Sequence, residues 1–326
     1  MLVLGIESTA HTFGVAIVRM QAAEQPQVLA NVRRTYTTTS GGLIPAKLSE
    51  HHMNVFSSVL SDALVQAGAS VPDVGLVAYS RSPGIGHALR IGAGVARSLA
   101  LRHSIPLVGV NHCVAHLEVG RVLSGRDDVS LLYASGANTQ VLAREGGAYR
   151  VFGETLDLGV GNFLDTVARL LGLGFPGGPQ LEELAKQYSG PLIELPYSVK
   201  GMDVSFSGMQ TAVKRLIESG ASAQGIAFSV QETVFAMLVE VSERALAHTG
   251  KECLVLGGGV ACNARLQEMC RLMCVDRGVE FFAPPNEFLV DNGAMIALLG
   301  ARVFAQSGGV AVSKAGIDPY ERVEQC

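Results

Sequence analysis

Two histidines, His112 and His116, lie four residues apart in Asn111-His112-Cys113-Val114-Ala115-His116, directly behind the apolar run 105–110. In a helix that spacing puts both imidazoles on one face. Two imidazoles on one face are half of a metal site. Asn111 is a residue type that caps helix N-termini. The zinc-protease pattern carries Glu immediately after its first histidine as general base. Cys113 stands there instead, so the pair can hold a metal but lacks that protease machinery. A carboxylate occurs at Asp291-Asn292-Gly293, a loop-to-helix junction before the apolar segment 294–299. Alone, Asp291 reads as a helix cap; beside two histidines it could be the third ligand. Two histidines and one carboxylate with open positions suit iron or zinc acting as a Lewis acid.

Three glycine- or hydroxyl-bearing turns offer a second kind of chemistry. Ser135-Gly136-Ala137-Asn138-Thr139 and Glu7-Ser8-Thr9 each join two apolar runs. In such turns backbone N–H groups can point at phosphate oxygens. Gly257-Gly258-Gly259, ahead of a helix beginning near Ala264, offers a surface for a nucleotide base or sugar. Neither a Rossmann GxGxxG unit nor a GxxxxGK[ST] loop is present.

The elements that must position these groups alternate between strand and helix, which predicts an α/β architecture. Segments 2–6 and 13–18 read as strands. Apolar positions Phe56, Val59, Leu60, Ala63, Leu64 and Ala67 have helical spacing, and Gly68 sits where a helix would end. Segment 74–79 reads as a buried strand, followed by a loop and a small-residue helix through Gly92, Ala93, Gly94 and Ala96. From Ser130 the chain repeats its opening plan of strand, short polar turn and strand, which suggests two lobes of one design. Segments 174–179 and 196–208 read as loop-rich insertions.

The bulk numbers agree with two domains: 326 residues, 48% hydrophobic and 17% charged. No uninterrupted apolar run of about 18 residues predicts a membrane span. Six cysteines without a CxxC pair point to a reducing, cytosolic setting, with Cys270 and Cys274 as buried thiols. A net charge of −4 argues against binding nucleic acid through bulk charge. A local basic path remains open to Arg33, Arg34, Lys200, Lys214 and Arg215.

Several segments together resemble the universal tRNA threonylcarbamoyladenosine transferase family. They are Gly5-Ile6-Glu7-Ser8-Thr9-Ala10-His11-Thr12, Gly109-Val110 with the histidine motif, and Tyr133-Ala134-Ser135-Gly136-Ala137-Asn138-Thr139-Gln140. Phe152-Gly153-Glu154-Thr155-Leu156-Asp157, Lys200-Gly201-Met202-Asp203-Val204-Ser205-Phe206-Ser207-Gly208 and Asp291-Asn292-Gly293-Ala294-Met295-Ile296-Ala297 complete the match, which runs nearly end to end. The 200–208 segment and the histidine motif resemble the archaeal and eukaryotic branch, the catalytic subunit of the KEOPS complex. The bacterial branch usually has glycine where this chain has Ala115. Two positions depart from the family pattern: Ala137, where a second glycine is usual, and Ser8, where archaeal members often have glycine.

The resemblance implies a two-lobed actin-like ATPase (ASKHA) fold with a nucleotide cleft between duplicated lobes. The N-terminal lobe is expected over residues 1–129, completed by 292–326, and the C-terminal lobe with its insertions over 130–291. The resemblance implies one divalent metal, iron or zinc, on His112, His116 and Asp291, with Tyr133 as a further contact. It places ATP or threonylcarbamoyl-AMP against Tyr133, Ala134, Ser135, Gly136, Ala137, Asp165, Gly178, Glu182 and Asn263. The implied activity is acyl transfer, from threonylcarbamoyl-AMP to the adenosine beside the anticodon of ANN-decoding tRNAs. The implied partners are tRNA, a small atypical protein kinase and a small dimerising subunit, with no membrane. The implied location is the cytoplasm, and also the nucleus in a eukaryote. Two rival readings are an ATP-binding regulatory scaffold of a kinase complex and a small-molecule phosphotransferase of the same fold. The phosphotransferase would not need the His-His-Asp set.

Overall fold

The computed structural model describes residues 1–21, 25–38 and 44–326. The chain forms two compact units, one from Met1–Tyr36, Leu43–Gly125 and Asp291–Cys326, the other chiefly from Arg126–Val290. In the first unit, β1 (Leu2–Glu7), β2 (Thr12–Arg19) and β3 (Gln27–Thr35) form an antiparallel meander. Helix α1 (Pro45–Ala67) follows and stops where Gly68 adopts the left-handed conformation at φ 60°, as its spacing predicted. Strand β4 (Val74–Ser82) lies parallel to β1. After α2 (Gly86–His103), β5 (Leu107–Asn111) lies parallel to β4, giving the order β3-β2-β1-β4-β5. Helix α3 (His112–Ser124) begins at the next residue, and the Asn111 side chain accepts the N–H groups of Cys113 and Val114 at 3.0 and 3.3 Å.

Side-chain alternation along β1 sorts the two faces of this sheet. Leu4 and Ile6 join Phe13, Val15 and Ile17 in a core with Val59 and Ala63 of α1 and Ala93 and Ala96 of α2. The small residues read from the sequence of α2 are what let it approach so closely. Gly92 sits against Ser8: a Cβ there would collide with the Ser8 hydroxyl and lie 2.8 Å from the Ser8 Cβ.

The second unit repeats the plan. Strands β6 (Ser130–Ala134), β7 (Thr139–Glu145) and β8 (Ala148–Glu154) form the meander. Then come α4 (Val160–Leu170), α5 (Gly177–Ala185), the short pair β9 (Val199–Lys200) and β10 (Asp203–Val204), α6 (Ser207–Glu218) and α7 (Ala223–Thr249). Strand β11 (Cys253–Gly257) lies parallel to β6. After α8 (Ala264–Arg277), β12 (Glu280–Phe282) lies parallel to β11, and α9 (Asn286–Leu289) closes the unit. The order β8-β7-β6-β11-β12 matches the first sheet strand for strand, so the repeat seen from Ser130 has its structural counterpart. Helix α7 is long and apolar enough to cross a membrane, but 72% of its most apolar stretch is buried in this unit. Val230, Val234, Phe235 and Leu238 form its core face.

Both expected loop insertions carry regular structure. Gly177, Gly178 and Pro179 open α5, because a proline in a first helical turn has no N–H to leave unpaired. The 196–208 segment contains β9, β10 and the start of α6. That segment and the 152–157 segment hold each other. The Glu154 N–H donates to Asp203 Oδ1 at 2.9 Å and the Leu156 N–H to the Val204 carbonyl at 2.8 Å. Asp157 accepts the Ser205 hydroxyl at 2.6 Å and the N–H of Ser207 at 2.8 Å, closing the N-terminus of α6. Burial alone would raise the Asp157 pKa. The bonds from Ser205, Phe206, Ser207 and Leu158 outweigh it and hold the carboxyl well below the usual carboxylate range.

From the second unit the chain returns to the first as α10 (Gly293–Ser307), capped by Asn292, whose side chain accepts the Met295 N–H at 3.1 Å. Asp291 is therefore not the cap. Helix α10 packs on β1, β2, β4 and α3. At Gly5 and Gly293 helix and strand meet backbone to backbone: a Cβ on Gly5 would strike the Gly293 carbonyl and lie 2.6 Å from the Ala297 nitrogen. Farther along, buried Glu118 of α3 pairs with Arg302 of α10.

Two outcomes follow from this packing. Gly92→Ala should lower the urea midpoint by the equivalent of about 1–3 kcal/mol, and adding Ser8→Gly should recover most of the loss. Simple additivity in the double variant would rule out the Ser8 contact as the cause. Asp157→Asn should cost roughly 1 kcal/mol at neutral pH, as loss of a helix cap does. The folded-state pKa of Asp157 is depressed, so its contribution is complete above about pH 4 and is lost as the pH falls. The gap between wild type and variant should therefore close on acidification; a gap constant from pH 7 to pH 2 would contradict this.

Candidate functional site

The first turns of α3 and the residue two ahead of α10 bring three donors together in the first unit. His112 and His116 nitrogens and an Asp291 oxygen all lie within 4.8 Å of one another. His112 Nε2 is 3.4 Å and His116 Nε2 3.6 Å from Asp291 Oδ1. The two rings stand edge to face with centroids 4.9 Å apart.

Behind His112 lies Glu7, fully buried. Its Oε2 is 2.9 Å from His112 Nδ1. Its Oε1 accepts both the N–H and the hydroxyl of Thr9, at 2.6 and 2.5 Å. With Glu7 committed as acceptor, His112 Nδ1 carries the proton and Nε2 faces Asp291. That is the arrangement in which a carboxylate orients a metal-binding imidazole.

The carboxylates also set the charge of the His112 ring, and a metal binding at His112 Nε2 would displace a proton. Burial works against a charged His112, yet the carboxylates of Glu7 and Asp291 win and raise its pKa to about 10. For His116 burial prevails and the pKa is lowered. Burial would raise the Asp291 pKa, but His112 and His116 hold it well below the carboxylate range. Cys113, between the histidines, is pushed up by burial and stays a neutral thiol. Two buried imidazoles and a carboxylate, with a second carboxylate orienting one of the rings from behind, fit a divalent ion of the iron or zinc kind.

The Glu7-Ser8-Thr9 turn has the N–H groups of Ser8 and Thr9 already engaged within the protein. Its N–H groups and side chains are turned inward, the Ser8 N–H to the Ser80 hydroxyl at 3.0 Å and the Thr9 groups to Glu7. Sequence reading missed the use of Glu7. The available signal was a carboxylate ending an otherwise apolar strand.

All the residues expected against a nucleotide belong to the second unit, and so does Tyr133, which is buried in β6. Ser135 to Asn138 form a turn closed by the Ser135 N–H on the Asn138 carbonyl at 2.9 Å. The first N–H groups of α4 secure it, Gly161 on the Ser135 carbonyl at 3.0 Å and Asn162 on that of Gly136 at 2.9 Å. Ala137 is exposed, and its carbonyl meets Gly159, so its methyl is tolerated. Gly258 has φ 91° and lies 3.0 Å, measured from its would-be Cβ, from the Ser135 nitrogen, which explains glycine there. Asp165 of α4 accepts the Gly177 N–H at 2.7 Å at the start of α5, where Gly178 follows. Glu182 of α5 accepts the Ala264 N–H at 3.3 Å at the start of α8. Asn263 caps α8 and donates to Gln231 at 3.0 Å. The turn and the N-termini of α4, α5 and α8 are thus linked in one hydrogen-bonded series, rich in the dipoles that favour an anion.

The candidate basic residues do not form one run. Arg33 and Arg34 lie on β3, Arg34 paired with Asp62 at 3.0 Å, while Lys200 lies on β9 and Lys214 and Arg215 on α6.

Comparison with known proteins gives these geometries a context. Residues 27–298 match the TsaD family, described as tRNA N6-adenosine threonylcarbamoyltransferase. The tRNA N6-adenosine threonylcarbamoyltransferase of Thermococcus kodakarensis is 54% identical over 311 residues, covering 95% of this chain and 93% of that protein. A probable bifunctional tRNA threonylcarbamoyladenosine biosynthesis protein of Methanothermobacter thermautotrophicus is 50% identical over 325 residues, covering 100% of this chain and 60% of that protein. Among solved structures, HypF of T. kodakarensis aligns with a TM-score of 0.64 at 16% identity, covering 94% of this chain and 48% of that one. That likeness assigns the actin-like ATPase fold expected from the sequence. From the match over most of its length and relatives of this similarity, the chain belongs to the tRNA N6-adenosine threonylcarbamoyltransferase family.

Proposed function

We propose that this chain transfers the threonylcarbamoyl group of threonylcarbamoyl-AMP to the exocyclic amine of the adenosine beside the anticodon in ANN-decoding tRNAs. The observation that carries the reading is the buried His112, His116 and Asp291 cluster in a chain of this family. A metal held by these three residues would supply Lewis-acid polarisation of the acyl donor. Glu7 fixes the His112 ring through Nδ1 and leaves Nε2 for the metal. Tyr133, Ala134, Ser135, Gly136, Ala137, Asp165, Gly178, Glu182 and Asn263 would receive the adenylate. The Ser135–Gly136 turn suits the phosphate, and Asp165, Glu182 and Asn263 suit the ribose and base.

The amine attacks the carbamoyl carbon, the bond from that carbon to the phosphate oxygen breaks, AMP leaves with the electron pair, and the proton lost by the amine passes to solvent. The buried thiol of Cys113 is held neutral and is unsuited to act as a covalent nucleophile. Positioning and electrostatics therefore carry the rate.

The net charge of −4 and the scattered basic residues favour shared tRNA binding. We assign that share to KEOPS partners, a small atypical kinase and a small dimerising subunit, in the cytoplasm. The bifunctional relative, of which this chain spans 60%, supports the idea of a second activity working beside this one.

With the candidate partners, threonylcarbamoyl-AMP and unmodified tRNA, mass spectrometry of the tRNA nucleosides should reveal threonylcarbamoyladenosine. His112→Ala should abolish both product and bound metal; full product from a metal-free variant would remove the Lewis-acid role. Glu7→Gln should weaken metal binding about 10- to 100-fold while all three ligands remain. Unchanged affinity would show that the Glu7 bond does not orient the ring.

A further inference from the structure

After α10 the chain runs back across the first unit as a strap, residues 308–326, that the proposed mechanism does not use. It is tied down along its length. The Val310 N–H reaches the Leu107 carbonyl at 2.8 Å, and the Tyr79 hydroxyl donates to the Gly316 carbonyl at 2.8 Å. The Asp318 N–H donates to the Arg81 carbonyl at 2.9 Å, and the Gly84 N–H to the Pro319 carbonyl at 3.2 Å. Glu321 then uses both carboxylate oxygens, one on the Arg81 guanidinium and one on the Ser82 hydroxyl. Its side chain is only 11% exposed, although it lies on an irregular segment.

From these anchors two short paths lead to His112. Along the first, the Ile85 N–H holds the Thr9 carbonyl at 2.8 Å, and Gly84 packs directly on Thr9. Thr9 binds Glu7, and Glu7 binds His112 Nδ1 at 2.9 Å. Along the second, Ser82 is the β-partner of Asn111, at the point where the β4–β5 register shifts. Asn111 caps the helix that His112 begins. Both paths start at residues that Glu321 or its neighbour Pro319 holds.

We propose that Glu321 is a positioning residue for the candidate metal centre. By clamping Arg81 and Ser82 it fixes the 81–85 turn, and that turn fixes the Glu7–His112 bond. This rests on the reading of His112, His116 and Asp291 as metal ligands.

Two measurements on the folded full chain test it. The first is Zn²⁺ affinity by competition with a chelating dye. Glu321→Ala should lower it about 10-fold, the low end for outer-shell partners. Glu321→Gln, which keeps an acceptor for Ser82 but not the charge facing Arg81, should fall between Glu321→Ala and wild type. Tyr79→Phe cuts the strap's bond at Gly316, away from both paths, and should lower thermal stability without altering Zn²⁺ affinity. The second measurement needs no metal: solvent exchange of the His112 Nδ1 proton by NMR should quicken about 10-fold in Glu321→Ala as the turn loosens.

Unchanged exchange in Glu321→Ala overturns the proposal, as does an affinity loss that tracks thermal stability across all three variants. If wild type binds no Zn²⁺, the metal reading fails, and the exchange measurement still decides whether Glu321 orders His112. If Glu321→Ala does not fold, Glu321→Gln decides by the same two readouts.

Discussion

A fully buried carboxylate, Glu7, faces a nearly buried imidazole, His112, at 2.9 Å, and the arrangement of the first unit depends on that contact. A carboxyl group in such a place is costly unless its oxygens are satisfied. Thr9 satisfies one oxygen twice, and His112 satisfies the other. The bond therefore requires the end of β1, the turn after it and the start of α3 to hold fixed positions. Asp291 on the opposite edge of the ring adds a second carboxylate, 3.4 Å from His112 Nε2.

Three structural devices serve that geometry. Asn111 ends β5 and caps α3 at once, so the histidines leave the sheet with no intervening loop. Gly5 and Gly293 remove the side chains that would hold α10 away from β1, which brings Asp291 in. The Glu118–Arg302 pair ties α3 to α10 farther along. In the second unit the same sheet plan positions a different edge. There, Asp165 joins α4 to the start of α5, Glu182 joins α5 to the start of α8, and Asn263 caps α8.

The local rules were legible in the sequence wherever one residue type does one job. Gly68 ended its helix, Asn111 capped α3, and the His112–His116 spacing gave one face. The duplicated plan was visible from Ser130 because strand, turn and strand repeat in the same order. What could not be read was long-range partnership. Glu7 and His112 are 105 positions apart, and nothing near either one signals the other. Asp291 could be read alone as a cap or, beside the histidines, as a ligand, because both jobs use the same carboxylate; the structure assigns the cap to Asn292. The 152–157 and 200–208 segments were legible as family motifs but not as each other's partners, since their bonds span about fifty residues. The short strands β9 and β10, two residues each, are below what alternation can reveal.

The central claim is that His112, His116 and Asp291 form one metal centre. X-ray absorption spectroscopy of the purified chain loaded with a single equivalent of Zn²⁺ tests it most directly. The expected spectrum has a first shell of nitrogen and oxygen only, at about 2.0–2.2 Å, with the multiple-scattering pattern of two imidazoles reduced to one in His116→Ala. A sulfur shell, or a spectrum unchanged by His116→Ala, would contradict it.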